Sequence, residues 1–293
     1  MKICKVESVN RKKGINITWA LTRLCNLKCS YCRVNDKWSK FIPFRTRINQ
    51  IRNYIISYSK EVETSVLIFG GEPTFIPYWQ EICFSLVESN VNTSIFTNLT
   101  ASINKYREIQ QKQIYINTTY HYGISSTEYL DKVMSLDKDL TSIYVMFDPR
   151  DIQSCKIVYE KLIKEGYNVE LNNILSEDLI LSSSDKEYLI KNSIHDCSTE
   201  RILITFEDGH SRRYSFSALT RFELNSFKGW KCNAGKESLF IECQGDIFPC
   251  QSYIFSQPPL DNVFKNPSFR VKEPIICNLD KCLCDFDVTK IKG

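Results

Sequence analysis

The stretch Cys25-Asn26-Leu27-Lys28-Cys29-Ser30-Tyr31-Cys32 sets three cysteines at the spacing C-x3-C-x2-C. Tetrahedral zinc takes four ligands, and no fourth Cys or His stands close by in the chain. An iron-sulfur cube can be held by three thiolates with one iron left open, which is a vacancy for chemistry. A structural zinc or reactive-thiol site is the plainer alternative for the same residues. A second set follows at Cys232, Cys243, Cys250, Cys277, Cys282 and Cys284, whereas Cys4, Cys83, Cys155 and Cys197 stand singly and read as small buried hydrophobes. For the second set, spacing alone does not separate four-thiolate zinc from iron-sulfur.

The 293 residues allow one large domain and a smaller appendage, and 43% hydrophobic with 25% charged residues is globular composition. Basic and acidic residues, 38 and 34, are mixed throughout, so the net charge of +4 marks no nucleic-acid surface. No apolar run approaches the ~20 residues of a membrane span, and the N-terminal MKICKVESVN lacks the apolar core of a signal peptide. The expectation is a cytoplasmic protein, where 13 cysteines stay reduced and point to metal rather than to disulfides.

These cysteines need a frame. Short β-branched or aromatic runs at 15–19, 65–69, 93–96, 113–117, 142–147 and 168–172 alternate with segments of helical period, the pattern of a parallel α/β sheet. Ser125 to Glu128 and Ser184 to Glu187 fit capping boxes, and Gly166 is placed to end the helix begun near Asp151. Six βα units are too few for a closed eight-stranded barrel, so the fold expected is an open partial (β/α)6 barrel with its active face beyond the carboxyl ends of the strands. Cys25 to Cys32, Gly70-Gly71-Glu72-Pro73, Thr97-Asn98, His121, Asp148-Pro149 and Asn172-Asn173 all fall at those ends. After residue 200 comes a hairpin turning at Asp208-Gly209, then a cysteine-rich tail expected to have little apolar core of its own. The expected domains are therefore 1–200 and 201–293.

The run Cys25 to Cys32 resembles the CxxxCxΦC signature of the radical S-adenosylmethionine (SAM) superfamily, with Tyr31 in its aromatic position. Gly70-Gly71-Glu72-Pro73 is similar to that family's second motif, at the end of the second strand. The resemblance implies that Cys25, Cys29 and Cys32 bind a [4Fe-4S] cluster whose fourth iron is chelated by SAM. It places Tyr31 near the adenine, the Gly70 to Pro73 motif on the methionyl ammonium, and Asn98 on the ribose or carboxylate, where a turn amide is the alternative. It also implies that the reduced cluster cleaves SAM to a 5′-deoxyadenosyl radical, which abstracts hydrogen from substrate while the protein excludes water.

The span from Cys232 through Gly245-Asp246-Ile247-Phe248-Pro249-Cys250 is similar to the opening of the SPASM and Twitch extensions of such enzymes, which carry auxiliary clusters. The later spacing, Cys277-x4-Cys282-x1-Cys284, departs from SPASM and fits one auxiliary [4Fe-4S] cluster. Cys232 and Cys250 are its expected ligands, joined by two of Cys277, Cys282 and Cys284; Cys243, in a strand position of the hairpin, reads as a bystander. Such a cluster implies net oxidation of substrate, with an electron donor such as flavodoxin or ferredoxin. The mouth expected from Tyr120, His121, Tyr122, Asp148, Arg150, Asn172 and Asn173 suits a hydrogen-bonding substrate, a small polar metabolite or a peptide, with His121 as a general base, a hydrogen-bonded positioning group or a satisfied core histidine. Strand one begins near residue 15, leaving no room before it for a peptide-recognition domain, so a peptide substrate is expected to need a partner protein. A peptide-modifying maturase is the second reading and a non-catalytic zinc protein the third.

Overall fold

Apolar residues at alternate positions, closed off by Gly, Asn or Ser, turn the six runs into strands covered on one side by helices. The computed structural model describes residues 2–9, 14–32, 43–174, 179–193, 202–214, 219, 222–282 and 288–293. The chain divides into two compact units, one of Ala20–Pro43 with Leu67–His195, the other of Met1–Trp19, Phe44–Val66 and Asp196–Gly293.

The chain begins with β1 (Ile3–Ser8), then β2 (Ile15–Thr22), α1 (Arg45–Ser59) and β3 (Thr64–Gly70). Next come α2 (Trp79–Glu88), β4 (Asn92–Thr97), α3 (Ile103–Gln111), β5 (Tyr115–Tyr120) and α4 (Ser126–Val133). β6 (Thr141–Phe147), α5 (Ile152–Lys164), β7 (Asn168–Asn173) and α6 (Ser183–Ser193) complete the alternation. In the unit of residues 67–195 the strand order runs from β3 to β7, joined by β2 from Ala20 onward, and β4 through β7 pair in parallel. This is the partial barrel expected. Ile116, Thr118 and Tyr120, then Ile143, Val145 and Phe147, are buried at every second position, which leaves Thr119, Tyr144 and Met146 for the opposite face.

The helix ends follow local chemistry. Ser125 Oγ accepts from the Glu128 N–H at 3.3 Å, and Gly166 stops α5 with φ +81°. The second box lies two residues earlier than expected: Ser182, not Ser184, accepts from the Asp185 N–H at 3.2 Å and donates to its carboxylate at 2.6 Å. Asp185 supplies the acidic partner that Glu187 was expected to give.

In the other unit, β8 (Ile202–Phe206) and β9 (Ser211–Tyr214) form the expected hairpin, with Gly209 at φ +88°. β10 (Lys231–Cys232), β11 (Ser238–Ile241), β12 (Asp246–Phe248), β13 (Asp261–Asn262), β14 (Ile275–Ile276) and β15 (Lys290–Ile291) follow. One sheet has the order β14-β10-β15-β1-β8-β9. β11 lies parallel to β2 over Asn16–Trp19, with β12 and β13 beyond it. The C-terminal segment does have an apolar core, contrary to expectation. Val6 from β1 joins Ile202, Ile204, Phe206, Leu219, Phe227 and Cys282, so the missing apolar area comes from the first residues of the chain.

Candidate functional site

The glycines at the end of β3 are there for a backbone. Gly70 has φ +144°, and a Cβ on it would overlap the Thr22 carbonyl oxygen; a Cβ on Gly71 would overlap that of Leu24. The Gly71 N–H donates to Thr22 O at 2.8 Å and the Glu72 N–H to Leu24 O at 2.6 Å, so the chain leaving β2 is laid against the glycine pair just before Cys25. The close approach seen is that of the cysteine loop, where the sequence-based reason was room for a ligand.

Glu72 is buried, and both its oxygens are taken. Oε1 accepts from the Thr74 N–H at 3.1 Å, the Thr74 hydroxyl at 2.6 Å and the Thr97 hydroxyl at 2.8 Å, while Oε2 accepts from the Asn98 N–H at 2.8 Å. Burial pushes its carboxyl up, against those four hydrogen bonds. The side chain thus ties the end of β3 to the end of β4. Pro73 is buried in the following turn, Pro73–Phe75, away from the cavity lining.

Asn98 extends that tie to the cysteines. Its Nδ2 donates to Asn26 Oδ1 at 2.8 Å and lies 4.0 Å from Cys25 Sγ, and the Leu27 N–H points at the same sulfur at 3.4 Å. Thr100 Oγ1 donates to Asn98 Oδ1 and fixes the amide orientation. Loss of water around its sulfur pushes the Cys25 thiol up to about 11, with Glu72, Cys29 and Cys32 adding to it although the residue as a whole is exposed, and raises the half-buried Cys29 likewise. A positive group brought to this loop would draw the protons off.

Tyr31 meets His121 across the same space. Its OH lies 2.8 Å from His121 Nδ1, the rings stack at 6.1 Å and 21°, and Cys29 Sγ is 3.7 Å from the same nitrogen. Burial drives the Tyr31 phenol well above its ordinary value and lowers His121 to about 4, against the Asp148 charge. The phenol therefore keeps its proton and the imidazole is neutral, and the tautomer of the ring sets which of the two donates across this contact.

These groups line one cavity of about 580 Å³, within the usual range for cofactor and substrate sites. Cys25, Cys29, Cys32, Gly70, Gly71, Glu72, Asn98, Tyr31, His121 and Asn172 all border it. The rest of the expected mouth is elsewhere. Tyr120 follows the strand alternation to the opposite face, where it packs on Tyr129 at 5.2 Å and donates to Ile124 O. Asp148 is buried under Arg150, which donates to it through Nε at 2.9 Å and Nη2 at 2.6 Å and lies 4.2 Å over Tyr122, and Asn173 does not border the cavity. Sequence reasoning missed the lining residues Phe69, Phe96, Tyr144 and Met146, of which Phe96 and Tyr144 stack at 5.4 Å. Their signal was the alternation itself, since Ile143, Val145 and Phe147 already occupied the helix-facing side.

In the other unit Cys232, Cys250, Cys277 and Cys282 are buried. Burial first, then the Cys277, Cys250 and Cys232 thiols, push Tyr253 up to about 12, which brings three of the four around one phenol. Cys282 enters the apolar core beside Phe227, its backbone held at 2.8 Å both ways by Asn225. Cys284 lies outside the described residues. Cys243 is buried in the turn between β11 and β12, not in a strand. Among the described residues no three His, Cys, Asp or Glu side chains draw together tightly enough for a single metal ion. A cube of several irons spaces its sulfur ligands more widely, and the Cys25 loop offers sulfur alone.

Parallel strands with a thiol-lined cavity at their carboxyl ends define an α/β enzyme of partial-barrel type. Residues 19–134 match the Radical SAM superfamily, the family that the cysteine and glycine motifs resemble. No curated protein matches the chain. Among solved structures it is similar to native anSMEcpe with bound AdoMet and Kp18Cys peptide, at 16% identity, TM-score 0.58 and coverage of 85% of this chain and 77% of that one. It is also similar to Streptococcus suis SuiB bound to S-adenosylmethionine, at 15% identity and TM-score 0.60, covering 86% of this chain and 64% of that one. SuiB bound to precursor peptide SuiA gives 16% identity and TM-score 0.59, with 87% and 63% covered. The chain thus spans less than two thirds of the length of SuiB. Among the described residues no helix is long and apolar enough to cross a membrane.

Proposed function

We propose that this enzyme uses SAM and a [4Fe-4S] cluster to oxidise a peptide. The observation that carries the reading is the meeting of Cys25, Cys29 and Cys32 with Gly70 and Gly71 on one cavity. Three thiol donors on one loop fit the cluster, which together with SAM would supply a radical able to take hydrogen from an unactivated C–H bond. The chain's part is to hold and orient. Backbone carbonyls at Gly70 and Gly71 take the methionyl ammonium, Glu72 fixes those carbonyls by anchoring the turn, and Asn98 holds the cysteine loop through Asn26. Phe69, Phe96, Tyr144 and Met146 give the cavity an apolar wall that keeps water from the reacting atoms.

His121 was expected to be a base. In the tautomer that accepts from Tyr31 at Nδ1, the neutral ring carries its proton on Nε2 and meets a substrate as a donor; in the other, Nδ1 donates to the phenol and Nε2 is the acceptor. We expect Tyr31→Phe and His121→Phe each to weaken SAM binding about fivefold, for one hydrogen bond of ~1 kcal/mol. The double variant should be no worse than either single one, and additive losses in measured SAM affinity would separate the two roles.

The buried C-terminal cysteines are proposed to hold one auxiliary [4Fe-4S] cluster, through Cys232 and Cys250 with two of Cys277, Cys282 and Cys284, as electron acceptor for the oxidation. A flavodoxin or ferredoxin would supply the electron that opens SAM. A peptide is preferred to a small polar metabolite because Tyr120 faces away from the cavity and Asp148 is covered by Arg150, leaving His121 and Asn172 as the expected mouth residues on its wall, and because solved structures of this fold hold peptides. The test is anaerobic loading with iron and sulfide, reduction, and analysis of SAM and of a peptide mixture by mass spectrometry. Expected are 5′-deoxyadenosine and a peptide lighter by two hydrogens. A loaded, reduced protein that leaves SAM intact overturns the reading, and cleavage with oxidation of sugars but not peptides overturns the substrate class.

A further inference from the structure

Two turns at the carboxyl ends of β5 and β6 hold a guanidinium in place. After β5, the Ile124 N–H donates to His121 O at 3.2 Å and Gly123 takes φ +88°, a turn that leaves Tyr122 44% exposed. After β6, Asp148 Oδ1 accepts from the Arg150 N–H at 3.0 Å across Pro149, whose fixed φ suits such a turn. The Asp148 side chain is fully buried and that of Arg150 is 34% exposed. Burial raises the Asp148 carboxyl, but hydrogen bonds from Arg150 outweigh it and hold the acid below its usual range. The pair is therefore charged.

Which part of Arg150 is taken matters more than the pairing itself. A guanidinium carries its N–H donors in a rigid plane, as two forks that each fit a carboxylate. Nε and Nη2 make one fork, and both donate to Asp148, at 2.9 Å and 2.6 Å. The Tyr122 ring covers a flat face at 4.2 Å. Nη1 makes no hydrogen bond among the described residues, so the second fork, Nη1 with the outer N–H of Nη2, is open. A surface ion pair contributes little to stability and needs neither a buried acid nor a stacked ring. Here both restrict the arginine, so its freedom is lost before anything binds.

Tyr122 and Arg150 do not border the cavity, yet Tyr122 directly follows His121, which does. The Arg150 charge is also close enough to act on Cys29 and Tyr31, two more residues of the lining. The open fork thus stands at the rim, on the Tyr31 and His121 side. A peptide longer than the cavity has to leave it over some part of the rim.

We propose that Arg150, fixed by Asp148 and Tyr122, is a specificity site that takes a carboxylate of the peptide substrate, from an acidic side chain or from the C-terminus. The inference rests on the peptide reading above. A carboxylate fits because its two oxygens match the planar fork, and charge-assisted pairs of this kind are strong. Arg150 binds substrate outside the cavity and takes no part in the radical step.

The experiment uses the iron-loaded, reduced full chain with SAM and a randomised peptide library, supplied with free and with amidated C-termini. Products lighter by two hydrogens are sequenced. Enrichment of Asp or Glu in both libraries identifies a side chain as the carboxylate, and products from free C-termini alone identify the terminus. With a peptide chosen from those products, Arg150→Met should raise KM about tenfold or more, with a smaller change in kcat. Arg150→Lys, which keeps the charge without the fork, should fall between. The same substitutions should cost much less on that peptide with its carboxylate replaced by an amide. Because Arg150→Met strands a buried acid, Arg150→Met combined with Asp148→Asn is made beside it, and thermal melts check folding. Neutral peptides oxidised as readily as acidic ones, or a carboxylate preference kept by the folded double variant, overturns the inference and leaves the peptide reading standing. An enzyme that cleaves SAM and oxidises no peptide overturns both.

Discussion

Replacing Cys25, Cys29 and Cys32 together by alanine should abolish the reductive cleavage of SAM proposed for this loop and should leave untouched any iron bound at the C-terminal cysteines. The loop they stand on does not depend on them. Its entry is fixed by backbone bonds from Gly71 to Thr22 and from Glu72 to Leu24, and its first turn by Asn98 on Asn26. Cys25 and Cys32 are exposed and Cys29 half-buried, so the truncation opens little cavity and the melting temperature should move by no more than a few degrees. Chemistry is another matter, because the substitution removes all three thiolates proposed to hold the cluster. Production of 5′-deoxyadenosine should fall below detection while iron content drops by one cluster. Cleavage that persists in this variant sinks the assignment of the loop.

The frame was legible in the sequence because it is local. Runs such as SIYVMF mark a strand by composition alone, and Ser125 with Glu128 or Gly166 after α5 mark helix ends through bonds within one turn. What escaped notice depends on residues distant in the chain. β1 is a weakly alternating Ile3-Cys4-Lys5-Val6-Glu7-Ser8, a strand only because β8 and β15 lie on either side of it. The Gly70-Gly71 pair could be seen as permissive, but its partner, the carbonyls of Thr22 and Leu24, could not. Tyr120 and Asp148 were assigned to the mouth by nearness to strand ends, and alternation sends one to the opposite face while Arg150 covers the other.

Glu72→Ala should cost more stability than any other single change at the site. Four donors converge on this carboxylate, and the truncation leaves the Asn98 and Thr74 N–H groups and one hydroxyl without their acceptor in a place water reaches poorly. Thr97 retains Tyr106 as a partner at 2.9 Å, so its share of the loss is smaller. At about 1–3 kcal/mol for each buried donor left unmet, the total is roughly 3 kcal/mol or more. For a chain of this size that corresponds to a fall in melting temperature on the order of 10 °C. Glu72→Gln keeps the shape and one acceptor oxygen but turns an NH2 toward donors, so it should lose about half as much. The same change loosens Asn98, hence Asn26 and the cysteine loop, so SAM affinity should fall in Glu72→Gln even where the protein stays folded. A melting curve for Glu72→Ala within a degree or two of the parent would mean that the ends of β3 and β4 are held by something other than this carboxylate. Weakened SAM binding would then have to be explained through direct contact with the ligand.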